Sequence, residues 1–202
     1  YEVGTVGGVV DEGIRNNERV LFDDTALSDT LFHRAAPWLP SVVGHRHLVR
    51  FNERWHFYRY RPGQTFRPHR DGSYLSLETY EKREVTFLIY LNEDMVGGET
   101  QFFTDMDQVA RRTPYLTVKP TTGAALVFLH SVWHEGAVVQ SGEKYVLRTD
   151  VMYKFIGLDP GLPFVETQSR ARPFHASARS GPFLMDLSIL TLVRQGNRLP
   201  GN

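Results

Sequence analysis

The residues best able to do chemistry together are His69 and Asp71, two apart in Pro68-His69-Arg70-Asp71-Gly72, and His134, in Val132-Trp133-His134-Glu135-Gly136. Two imidazoles and one carboxylate form the facial triad that suits non-haem Fe(II) and leaves open positions for a co-substrate and O2. Histidine and carboxylate without thiolate could also take Mn, Co or Zn. On an extended segment side chains alternate, so His69 and Asp71 face the same way and can reach one metal from a single strand end. His134 must come from another strand. His130 is a second candidate for that distal position. His134 is preferred, because His130 ends an apolar run while the Trp-His-Glu-Gly turn suits a barrel mouth. Two cations follow His134, Lys144 ten positions on and Arg148 fourteen. An enzyme that uses 2-oxoglutarate needs such a cation for the far carboxylate of the co-substrate, since a buried unpaired anion is costly.

These side chains need strands to hold them. Trp55 to Tyr60 is aromatic-rich and stops at the turn Arg61-Pro62-Gly63. Val85 to Leu91 is almost continuously apolar, as in a strand buried on both faces. Thr100 to Phe103 follows the Gly97-Gly98 turn. Leu116 to Val118, Ala124 to Leu129 and Tyr145 to Met152-Tyr153 complete the set. One early helix is expected after Asp23 or Asp24, either of which can cap it, with Leu27, Leu31 and Ala35 at helical spacing and Pro37 at its end. Many short strands with Gly/Pro turns give a mostly β fold, read as a jelly-roll core with the N-terminal helix packed beside it. Residues 72–84, which follow the metal pair, are expected to form a lid or a plain connection, and 104–115 a second loop insertion. Residues 157–182, with four prolines, read as a linker or loose tail, and Met185 to Val193 as a short helix or strand. The domain is therefore placed at 1–156, its core at 52–155, with an extension at 157–202.

With 202 residues, 41% of them hydrophobic, the chain can bury one real core. Zero formal net charge argues against nucleic acid as a partner. No apolar run is long enough for a membrane span. The chain has no cysteine, which removes disulfides, thiolate metal sites and cysteine nucleophiles. That, with no signal-peptide pattern in Tyr1-Glu2-Val3-Gly4, fits a cytoplasmic protein.

Several of these segments carry a family resemblance. Phe57 to Gln64, Pro68 to Gly72, Tyr90-Leu91-Asn92, Gly97 to Phe102, His134-Glu135-Gly136 and Gly142 to Tyr145 together resemble the prolyl 4-hydroxylase-like branch of the Fe(II)/2-oxoglutarate dioxygenases. The resemblance runs from about Asn52 to Tyr153. It implies a double-stranded β-helix, and decarboxylation of 2-oxoglutarate to succinate and CO2 coupled to hydroxylation of a C–H bond. It further implies Fe(II), 2-oxoglutarate and O2, with ascorbate as a reductant. Peptidyl proline is the branch's best-known substrate class; amino acids and other small molecules stay open, as do oxidations other than hydroxylation. By resemblance, Lys144 matches the anchor of the far carboxylate, and Tyr60, Tyr90 and Thr100 could help it or line the cavity. As ordinary β-core residues the two tyrosines would simply have their hydroxyls satisfied. Arg148 could instead take the anchor role, assist the other carboxylate or meet the substrate. Two readings compete: a β-barrel binding module without turnover, and a cupin-like enzyme using Zn or Mn.

Overall fold

A computed structural model describes residues 15–155, together with strand segments at 2–3, 5–6, 9–10 and 189–192. The main elements are β1 (Glu18–Asp23), α1 (Thr25–Ala35), β2 (Arg46–Phe51), β3 (Arg54–Tyr60), β4 (Phe66–His69), β5 (Glu81–Tyr90), β6 (Thr100–Phe103), α2 (Met106–Arg111), β7 (Leu116–Val118), β8 (Ala125–Leu129), β9 (Trp133–Gly136) and β10 (Lys144–Phe155). The larger sheet runs β1-β3-β10-β5-β8, and β2 pairs with the far half of β10 beyond β3. The smaller sheet runs β7-β6-β9-β4. The expected jelly roll is what the chain builds.

The larger sheet is buried on both faces, which explains its nearly unbroken apolar runs. Its outer face carries Phe51, Trp55, Val85, Phe87, Val127, Val151 and Tyr153, covered by Leu27, Leu31, Phe32 and Ala35 of α1. The helix begins where expected, since the Asp24 carboxylate accepts from the Leu27 amide at 2.8 Å. Ser28, buried on α1, accepts from the Trp55 indole N–H at 2.9 Å and so ties helix to sheet. Phe51 lies at the centre of this layer, 4.5 Å from Phe87 and 5.5 Å from Phe32 between ring centroids. Phe51→Ala should therefore destabilise the fold by about 3–5 kcal/mol, read as a lowered denaturation midpoint with an unchanged slope.

The inner face carries the site. Tyr58, Tyr60, Tyr90, Leu126, Phe128 and Val146 pack there against Phe102 of the smaller sheet. Two expectations need revision. Segment 104–115 holds a short helix, α2, because Asp105 caps it by accepting from the Gln108 amide. Strands β1 and β2 were not marked in the sequence, since charged or histidine-rich stretches such as Arg46–Phe51 hide the alternation; β4 and β9 supply the two strands expected to carry His69 and His134. The proposed linker 157–182 lies outside the described residues. Of Met185 to Val193, Ile189–Leu192 is described, as a strand on the edge of β8. No helix among the described residues is long and apolar enough to cross a membrane.

Candidate active site

His69 ends β4 and His134 lies on β9, and the two residues are register partners between adjacent strands. Asp71 lies two residues past the end of β4. Its backbone N–H donates to the His130 carbonyl at 3.0 Å, which fixes the turn. His69, Asp71 and His134 thus each offer a ligand atom, all within 4.8 Å of one another. Both imidazoles are oriented by their own strands. His69 Nδ1 lies 2.8 Å from the Arg67 carbonyl and His134 Nδ1 3.0 Å from the Val132 carbonyl. A carbonyl only accepts, so each Nδ1 carries the proton and each Nε2 is left with a lone pair. His69 Nε2 is buried without a hydrogen-bond partner, as a nitrogen built for a metal would be. Burial, helped by the neighbouring His134, lowers the His69 pKa to about 3 and keeps the ring neutral. Burial likewise lowers His134. Burial alone would raise Asp71, but Arg148 and the histidines outweigh it and hold the carboxylate ionised. Two neutral imidazoles and one anion are the donor set that fits Fe(II).

Behind Asp71 stands a charged network. Arg148 donates to Asp71 Oδ2 at 3.1 Å and lies 3.0 Å from Asp150 Oδ1. Thr86 also donates to Asp71. His130, weighed above as a ligand, meets Asp150 at 3.4 Å instead and stays out of the triad. Cross-strand register explains the grouping: Leu88 is opposite Arg148 and Thr86 opposite Asp150, so alternate residues of β5 and β10 share the inner face.

Lys144 lies deeper. It is 2% exposed and opposite Tyr60, with Nζ donating to the Gly98 carbonyl at 2.6 Å. Among the described residues no carboxylate pairs with it. Burial lowers its pKa to about 8, with Glu99 acting weakly the other way. The rings of Tyr60 and Tyr90 flank the ammonium at 5.1 and 5.6 Å. The Gly98 backbone has φ +72, and a Cβ there would come within 3.2 Å of Lys144 Cδ. The Gly-Gly turn thus leaves room for the lysine stem.

The triad, Arg148, Lys144, Tyr60 and Thr100 all border one cavity that opens to solvent. Tyr90 does not line it. Its hydroxyl is donated behind the wall to Thr100 at 2.7 Å, so it bears on the cavity through that threonine and its ring face. Tyr58, Phe66, Thr86, Leu88, Phe128 and Val146 also line the cavity and were not singled out in the sequence. For Thr86 and Leu88 a signal existed, the period-two alternation with Tyr90 along β5. Phe66, stacked on His69 at 3.6 Å and 14°, had none. Of the two loops, 104–115 docks beside the metal pocket through an Arg112 to Glu135 ion pair at 2.6 Å. In 72–84, Tyr74–Leu75 pairs along β5 and Tyr74 and Leu77 stay exposed.

Comparison with known proteins agrees with this geometry. Residues 55–149 match the model of the 2OG-Fe(II) oxygenase superfamily. Prolyl 4-hydroxylase 1 of Arabidopsis thaliana is 34% identical over 103 residues, and the match spans 43% of this chain and 36% of that protein. Among solved structures, a Pseudomonas putida prolyl-4-hydroxylase aligns with TM-score 0.50 at 24% identity, over 73% of this chain and 75% of its own. A Trichoplax adhaerens prolyl hydroxylase, solved with a hypoxia inducible factor peptide fragment, aligns with TM-score 0.55 at 15% identity, over 73% and 67%. These two likenesses speak for the fold. Residues 55–149 are thus similar to the 2OG-Fe(II) oxygenase superfamily and, within it, to prolyl 4-hydroxylases, over about a third of the length of the curated relative.

Proposed function

We propose that this domain is an Fe(II)- and 2-oxoglutarate-dependent dioxygenase that hydroxylates a C–H bond of an amino-acid or peptidyl substrate, releasing succinate and CO2. The carrying observation is a triad with both Nε2 lone pairs presented, together with a buried lysine that has no carboxylate partner among the described residues. His69, Asp71 and His134 would hold the iron. When bound, the iron and its co-substrate supply the oxidising chemistry, and the protein supplies orientation and exclusion of water. Lys144 would receive the far carboxylate of 2-oxoglutarate, with Thr100 and Tyr60 nearby on the cavity wall. Tyr60 is kept protonated by burial and so is available as an O–H donor. Arg148 is already engaged by two aspartates, which favours a positioning role: it holds the Asp71 carboxylate toward the metal. The domain would span 1–156, as the strands that build the site end at Phe155.

Anaerobic addition of Fe(II) and then 2-oxoglutarate to the apo-protein tests this reading. A visible charge-transfer band from the chelated keto acid is expected. Iron binding without the band would favour a binding module or an enzyme of another metal. Arg148 gives a further prediction. Arg148→Met should weaken Fe(II) binding about 10- to 100-fold, the usual cost of losing a residue that orients a metal ligand. Titration of iron by fluorescence quenching would measure it. Intact iron affinity with lost 2-oxoglutarate saturation would instead make Arg148 the anchor.

A further inference from the structure

Arg15 is the buried cation that this scheme leaves unused. It is 3% exposed, and among the described residues its Nε and Nη2 have no hydrogen-bond partner. A bridge to Phe66 fixes it beside the strand that carries His69. Its guanidinium carbon lies 5.1 Å from the Phe66 ring centroid and 5.6 Å from that of Tyr58. Both rings line the metal cavity, and Phe66 stacks directly on His69. A buried guanidinium without an anion is costly to keep. Among the described residues no carboxylate pairs with it: Glu18 is engaged by Arg59 and Arg61, and Asp71 and Asp150 by Arg148. The atoms left open are also informative. Nε and Nη2 form the edge with which Arg54 holds both oxygens of Asp23, at 2.9 and 3.1 Å. The same edge on Arg15 is therefore shaped for a carboxylate taken by two parallel hydrogen bonds.

The local charge agrees. Arg19 is opposite Tyr58 on the adjacent strand, and Arg15, Arg19 and Arg148 all act on His56, which burial first and then these cations lower to about 3. His56 is thus a neutral group, 3.2 Å from the Tyr58 hydroxyl. The two carboxylates of 2-oxoglutarate are assigned to Lys144 and the metal, and among the described residues no carboxylate is left for Arg15, so the anion there is taken to come from another molecule. We infer that Arg15 receives the carboxylate of the substrate, and that the substrate class is a small free carboxylic acid, such as a free amino acid, rather than an internal residue of a peptide. This rests on the dioxygenase reading above.

The test uses wild-type protein loaded with Fe(II) and 2-oxoglutarate, presented with the free L-amino acids, proline included, and with the same compounds as carboxamides. Succinate release stimulated by each compound is read, alongside the charge-transfer band. At least one acid should stimulate release, and its amide should need about thirtyfold more for the same effect. In Arg15→Met, which keeps an apolar stem over Phe66, the band should remain and the KM for that acid should rise by about the same factor. Arg15→Lys, which keeps the charge without the fork, should fall between and covers the case in which the first variant does not fold. Equal use of acid and amide, no response to any acid while the band forms, or an unchanged KM in both variants overturns the carboxylate assignment and leaves the iron reading in place. A missing band in the wild type brings down the iron reading itself.

Discussion

Replacing Lys144 with Met should raise the 2-oxoglutarate concentration for half-saturation by about 30- to 3000-fold, with little change in iron affinity. Removing one partner of a buried charge pair costs roughly 2–5 kcal/mol, and about 1.4 kcal/mol is a factor of ten. The site gives the lost charge no substitute, because Arg148 is tied to Asp71 and Asp150. The wild type should also show a pH signature. The free lysine has a pKa of about 8, lowered by burial. Below that pH it is charged before the co-substrate arrives, so affinity should be flat. Above it, binding must take up a proton, and affinity should fall by up to about tenfold per pH unit. Titration of the charge-transfer band from pH 6.5 to 9.5 would show this, and Lys144→Met should lose the dependence. A fall in affinity toward low pH would count against Lys144 as the anchor.

His134→Ala should abolish turnover and remove the metal's effect on stability. A ligand that binds only the folded state raises its stability by RT ln(1 + [L]/Kd), about 2.7 kcal/mol at a hundred times Kd. Wild-type protein should therefore melt at a higher temperature with saturating Mn(II) or Fe(II), and a chelator should reverse the shift. His134→Ala should show no shift at the same concentration, and His69→Ala should match it. His130→Ala is the control: it touches Asp150, outside the triad, and should keep a metal-dependent shift. A normal shift in His134→Ala with a lost one in His130→Ala would reverse the two histidines.

The fold was legible from the strands that form nearly unbroken apolar runs. Runs 85–91 and 124–129 stood out because both faces of their sheet are buried, one under α1 and one against the smaller sheet. Strands such as Arg46–Phe51 were not, because their burial is partial and their polar residues break the period.

Residue order alone settles the local features. His69 and Asp71 are two residues apart, so alternation alone put them on one face. His134 followed from the apolar strand before it, and the capping of α1 followed from Asp24. The choice between Lys144 and Arg148 was not local. Both lie on one face of β10, and only the pairing of β10 with β5 brings Asp71 and Thr86 to Arg148, while Lys144 meets Gly98 from a distant turn. Arg15 shows the same limit most clearly. Nothing near it in sequence marks it as buried or unpaired; its bridge to Phe66, far along the chain, puts it beside the strand that carries His69. Residue type sets which chemistry is possible, but partners and desolvation come from register between strands far apart in sequence, and those decide which charge is left for a ligand.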